Sequence, residues 1–141
     1  MSDMMDRSLR PSFREAISRA ERQVGYNEMK AARDDLEHQL RMDLIHDLCA
    51  IMAEIYMMDP ARTVRISGEE MDVYMVQQVF KEIRRDQVVT VAAGFARLKD
   101  YVKNRKAYLR AMLYNSVFSV QADAVNDGNA DVYFNSAHSG F

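Results

Sequence analysis

The chain of 141 residues holds one cysteine, two prolines, five glycines and no tryptophan. Each scarcity excludes a class. So little proline and glycine rules out a collagen-like or Pro/Gly-rich disordered chain. A lone Cys49 rules out an intramolecular disulfide framework and a four-cysteine zinc site, and it fits a reducing compartment. The longest apolar runs, Leu48–Ala53 and Val91–Ala96, fall far short of the roughly 20 residues a membrane helix needs. The opening MSDMMDRSLRP carries acidic residues and no apolar stretch, so it does not read as a signal peptide. The expectation is one soluble cytoplasmic domain (1–141) with no membrane contact and flexible ends at 1–11 and 135–141.

What the chain does hold is methionine, eleven of them. Methionine favours helix, fills irregular gaps and makes adaptable surfaces. The formal net charge of −2 hides an uneven distribution. Residues 1–41 are neutral, 42–96 carry −4, 97–115 carry +5 and 116–141 carry −3. One short segment is therefore basic inside a mildly acidic protein, which makes a local potential that the net charge does not report.

Apolar spacing predicts five or six helices in a compact all-α bundle with short connections, and at most one very short extended segment near 63–66. Ser12 and Glu15 have the spacing of a capping box, ahead of Phe13, Ile17, Ala20 and Val24 on one face, with Gly25 as the stop. Asn27 is placed to cap a second helix striped by Met29, Ala32, Leu36 and Leu40; whether a break follows near Met42-Asp43 stays open. The most apolar stretch, 42–58, leaves only Asp43, Asp47 and Glu54 as a polar stripe, so it should be central, and Asp59-Pro60 should end it. Thr63–Ile66 alternates like a strand and Ser67-Gly68 is a turn. Asp72 and Asp86 are placed to cap helices striped by Val73, Val76, Val79, Phe80 and Ile83, and by Val88, Val91, Ala92, Phe95 and Leu98. Asn104 is placed to cap a last helix, with Ala107, Tyr108, Ala111, Met112 and Leu113 inward; the periodicity fades from Asn115.

Little in this pattern has catalytic spacing. His46 and Cys49 share a helix face, but two ligands do not make a metal site, and His38 and His138 stand at no motif spacing to them. Cys49 lies in the most apolar helix, where thiols are inert. Gly68 and Gly94 are isolated and open no phosphate loop. Glu69-Glu70, adjacent at a turn, reads as solvated. The expectation is a protein that is not an enzyme and takes no metal or other cofactor.

The strongest signal is the basic stretch Arg97–Arg110, in which Arg97, Lys99, Lys103, Arg105, Lys106 and Arg110 alternate with Tyr101 and Tyr108. Cations against phosphate, with aromatic faces for unstacked bases, hold single-stranded nucleic acid. The same cations suit an acidic protein partner, or form a solvated face. Lys103, Lys106 and Arg110 share a face if the helix starts early.

Three strings carry a resemblance: Val64-Arg65-Ile66-Ser67-Gly68-Glu69-Glu70; Val76-Gln77-Gln78-Val79-Phe80-Lys81; and Tyr101-Val102-Lys103-Asn104-Arg105-Lys106-Ala107-Tyr108-Leu109 followed by Met112-Leu113-Tyr114-Asn115-Ser116. Together with the Leu44–Tyr56 helix, they make residues 44–115 similar to the C-terminal domain of the RepA-type replication initiators of Gram-positive plasmids and conjugative elements. Val117 stands where that family carries proline, and the family's N-terminal origin-binding winged helix has no counterpart here. The resemblance implies a DnaD-like helical module that couples an initiator to a host replication protein such as a primosome component. The chain would then be a fragment of an initiator or a stand-alone copy.

The resulting expectation is a non-enzymatic replication adaptor of a mobile element, with a hold on single-stranded DNA through the basic segment. A nucleic-acid-binding regulator and a small inhibitor of a host defence nucleoprotein are the alternatives, and a homo-oligomer stays open. Met29, Met52, Met75 and Met112 read as core. Met57, Met58 and Met71, flanking the Pro60–Gly68 connection, read as an adaptable partner surface.

Overall fold

The computed structural model describes residues 12–98 and 102–125, with side chains described through 119. Within them, helices α1 (Phe13–Val24), α2 (Tyr26–Ala32), α3 (Leu36–Met57), α4 (Val73–Phe80), α5 (Arg85–Ala96) and α6 (Arg105–Val125) surround one core. Strands β1 (Thr63–Ile66) and β2 (Glu69–Asp72) form an antiparallel hairpin between α3 and α4. The bundle is mostly helical, as the apolar spacing predicts.

Local signals set most helix ends. Ser12 Oγ accepts the Glu15 N–H at 3.1 Å while Glu15 Oε1 accepts the Ser12 N–H at 3.3 Å, the two halves of a capping box. Gly25 ends α1 in the left-handed region, φ 74°, where a Cβ is disfavoured. The guanidinium of Arg85 also lies against this glycine and would have to shift for a side chain there. Asn104 Oδ1 accepts the Ala107 N–H at 3.1 Å and opens α6.

The continuous stripe from Met29 to Leu40 is corrected. Asp35, not Asn27, is the capping side chain: it accepts the His38 N–H at 3.2 Å and starts α3, with Arg33 fixing its carboxylate at 2.7 Å. This turn rotates the following helix, so Leu36 and Leu40 face solvent while His38 and Met42 turn inward. No break follows at Met42-Asp43; α3 runs on to Met57 and touches every other helix. Ile45, Leu48, Cys49, Met52 and Ile55 are buried along it.

Four further elements differ from the sequence reading. Helix α5 starts at Arg85, so Asp86 lies within its first turn rather than capping it, and Gln87 Oε1 accepts the Arg84 N–H at 2.8 Å. Glu69–Asp72 is a strand, pairing Glu69 with Ile66 and Asp72 with Thr63. The turn between the strands has positive φ at both Ser67 (53°) and Gly68 (83°), the backbone that matches the twist of a two-residue hairpin. Helix α4 ends at Phe80, and Ile83 is buried from the connection after it. Helix α6 runs past Asn115 to Val125. Among its residues with described side chains, Leu109, Leu113, Ser116 and Val117 are buried, whereas Tyr108 is 38% exposed. Likewise Phe13, Leu98 and Met75 face solvent rather than the core, and Met75 is 56% exposed.

Candidate partner-binding groove

The basic segment meets the polar stripe of α3. Helix α6 lies along α3, and Arg105 Nη2 reaches Asp47 Oδ2 at 3.0 Å. Lys106 Nζ is 2.8 Å from Glu54 Oε2, and Arg110 Nη2 is 3.9 Å from Glu54 Oε1. Lys106 and Arg110 therefore do share a face, at one carboxylate. Lys103 precedes the helix, is exposed, and has no ion-pair partner among the described residues. The guanidinium of Arg105 also stands 5.5 Å from the centre of the Phe95 ring. Half-exposed pairs of this kind are each worth under about 1 kcal/mol. Arg105 and Lys106 are thereby engaged with α3, while Arg110 stands between Glu54 and the groove. Arg97 is exposed at the end of α5, beside Leu40 and on another face. Lys99 and Tyr101 lie outside the described residues.

Between α6 and the hairpin lies a groove of about 970 Å³, which Arg110 joins to these pairs. One wall is the hairpin, with Arg65, Ser67 and Gly68; the other is the residues around the start of α6, with Lys103, Asn104 and Tyr108. Ala107 and Ala111 are spaced one turn apart and give the floor depth, flanked by Leu98, Val102 and Met112. Arg65, Lys103 and Arg110 border it, and no carboxylate does among the described residues. Arg65 is held by its Nη1 donating to the Gly68 carbonyl at 2.9 Å. Arg110 is only partly satisfied: its Nε is buried with no acceptor. Tyr108 leans on Phe95, ring centres 6.1 Å apart. Sequence reasoning found Lys103 and Arg110 but not Arg65, Ala107, Ala111 or Met112 as lining. Only contact between segments 38 residues apart assigns them.

The methionine surface is only partly present. Met57 is 44% exposed and, with Met58 and Arg62, lines a cleft below the end of α3. Met58 and Met71 are instead half-buried against the core, so the three do not form one exposed patch. Of the methionines read as core, Met52 is fully buried, and Met29 and Met112 pack against its edge.

The remaining candidate groups are engaged in the fold. His46 Nδ1 lies 2.8 Å from Glu21 Oε2. His38 Nε2 lies 2.7 Å from the Met29 carbonyl and ties α2 to α3. Glu69 and Glu70 are exposed neighbours on β2. No group of three or more metal-ligating side chains occurs among the described residues, and none of their helices is long and apolar enough to cross a membrane.

Cys49 has no accessible surface, and burial, then the charge of Glu21, pushes its thiol from 9.0 up to about 12. Thiolate is the reactive form. Native protein at pH 8 should therefore resist iodoacetamide for hours and become fully alkylated once unfolded in guanidinium, as read by mass spectrometry. Rapid native alkylation would show Cys49 to be accessible. The sign of the pH effect follows from the same shift. Above about pH 9 the unfolded chain loses a proton that the native chain keeps, so stability falls as pH rises, by roughly 1.4 kcal/mol per pH unit for one such group. Tyr26 and Tyr56, both raised mainly by burial, add to the fall above about pH 10.

Comparison of the chain with protein-family models, curated proteins and solved structures finds no match.

Proposed function

We propose that the protein is a non-enzymatic adaptor in replication, encoded by a plasmid or conjugative element, that binds a host replication protein at the groove between the hairpin and α6. One observation supports this reading above others. The most specific string of the resemblance, Tyr101–Leu109 with Met112–Ser116, and the Val64–Glu70 string are far apart in sequence, yet described residues of both line this groove. Residues needed only for packing would have no reason to meet at a concave, solvent-facing place. Val64, Ile66, Leu109 and Leu113 carry the packing, and they are buried on the other side of the same elements.

A nucleic-acid-binding regulator draws less support, because Arg105 and Lys106, two of the cations it would use, are paired with carboxylates of α3. The test is capture from a bacterial lysate on the immobilised chain. A primosome component should be retained by the unaltered protein and depleted about tenfold by the double variant Arg65→Glu, Lys103→Glu. An eluate with no primosome component, or one indifferent to the two substitutions, overturns the adaptor reading.

A further inference from the structure

We infer that the ligand of this groove is an extended acidic peptide segment carrying one bulky apolar side chain. The inference rests on the adaptor reading and deepens it by naming the chemistry of the partner's docking segment.

Charge comes first. Arg65 approaches from the hairpin, and Lys103 and Arg110 from the α6 side, with no carboxylate between them among the described residues. Such a cleft repels cations and concentrates anions. Arg110 adds a specific demand. Its Nε is buried without an acceptor, and its nearest carboxylate, on Glu54, sits at 3.9 Å, the far limit of an ion pair. A ligand carboxylate at the groove would share a guanidinium that the fold leaves under-satisfied.

Shape comes second. The floor between the cations is apolar: Ala107 and Ala111 leave a hollow that Met112 and Tyr108 flank. A hollow of this kind takes a hydrophobic anchor, and methionine adjusts to its outline. At about 970 Å³ the groove lies at the upper end of small-molecule sites and is open along its length, so an extended segment fits better than a compact ligand.

Those features also separate a peptide from single-stranded nucleic acid. Holding bases requires successive aromatic platforms beside a phosphate track. Tyr108 is the aromatic side chain among the described lining residues, and its ring is already against Phe95. An alanine floor offers no π face.

Fluorescence anisotropy with the full chain tests this. The probes are labelled peptides of Asp and Glu with a single central Phe or Leu, the same peptides with Ser at that position, and labelled oligothymidylate. The acidic peptide with the apolar residue should bind, and should bind about tenfold more weakly when that residue is Ser. It should weaken about tenfold again with Lys103→Glu or with Arg65→Glu, both exposed positions whose variants should keep the native circular dichroism. Met112→Gln, which makes the hollow polar without changing its charge, should weaken the apolar probe and leave the Ser probe unchanged. Tighter binding of oligothymidylate than of any peptide, equal binding of the Phe and Ser probes, or no peptide binding overturns the inference. If the peptides fail while Arg65→Glu, Lys103→Glu still depletes the primosome component from the lysate eluate, the ligand chemistry is wrong and the adaptor reading stands. If the peptides bind as described and no primosome component is captured, the docking chemistry stands and the adaptor reading falls.

Discussion

Phe80→Ala should lower the stability of the protein by about 4 kcal/mol. Phe80 is the largest side chain with no solvent exposure. It closes α4 and packs in the core shared by α3, α4 and α6. Truncation removes a buried ring and leaves a hole whose walls are helices anchored elsewhere, so collapse is incomplete and the cost falls in the range of roughly 3–5 kcal/mol seen for buried phenylalanine. A domain of this size has about 5–15 kcal/mol in total. The variant should therefore unfold at a urea midpoint lower by more than about 1 M, with the slope unchanged, in a melt followed by far-ultraviolet circular dichroism. Phe80→Leu should keep most of the stability, since an apolar side chain of near volume fills most of the hole. A loss under about 1 kcal/mol for alanine would mean that α4 is loosely held, and that the hairpin before it is not fixed as the groove requires.

The parts of this fold legible in the sequence are those decided within a few residues. The Ser12 box, the Gly25 stop, the Ser67-Gly68 turn and the Asn104 cap each depend on a side chain and a backbone group in the same turn. What escaped depends on distant partners or on competition between signals. Met29–Leu40 reads as one stripe because spacing cannot show that Arg33 will hold Asp35 at a helix start. Strand β2 is hidden by Glu69 and Glu70, whose polarity suits a turn; it forms because β1 offers it a partner. The end of α6 is hidden by small polar residues, which a helix tolerates once its first turns are packed.

The groove was half legible for the same reason. The polar stripe of Asp43, Asp47 and Glu54 and the basic run from Arg97 to Arg110 are both plain in the sequence, yet their pairing through Arg105, Lys106 and Arg110 follows from how α6 lies along α3. That pairing changes the meaning of the +5 segment. It is partly a seam between helices, and the cations left facing the groove are fewer and joined by Arg65 from elsewhere. A charge run marks where electrostatics matter without saying which charges are already met.

Gln23→Leu should cost about 2–3 kcal/mol, though nothing in the sequence singles the residue out. Gln23 Nε2 donates to the carbonyls of Phe80 and Ile83, both at 2.9 Å, and its Oε1 accepts the Tyr56 hydroxyl at 2.9 Å. One side chain of α1 thus adds a second donor to the Phe80 and Ile83 carbonyls at and just after the end of α4 and anchors a tyrosine of α3. Gln77 of α4 does the same for α3, donating to Ile55 and Met58 at 3.0 Å each. Leucine at position 23 nearly keeps the volume but removes three hydrogen bonds: the Phe80 carbonyl keeps only the Ile83 N–H at 3.1 Å, the Ile83 carbonyl keeps only Arg84 Nη1 at 3.1 Å, and the Tyr56 hydroxyl loses its acceptor. Each lost hydrogen bond is worth roughly 0.5–1.5 kcal/mol, toward the lower end here because the site is only partly buried. A double-mutant cycle with Tyr56→Phe isolates the hydroxyl. The single Tyr56→Phe should cost about 1 kcal/mol, and much less in the Gln23→Leu background, where the hydroxyl has already lost its acceptor. Additivity within about 0.5 kcal/mol would show that the bond contributes nothing. The clamps also bear on function: they fix where the chain leaves α3 and where α4 ends, and so where the hairpin presents Arg65 to α6. Gln23→Leu should therefore weaken capture of the groove's ligand even at temperatures where the variant remains folded.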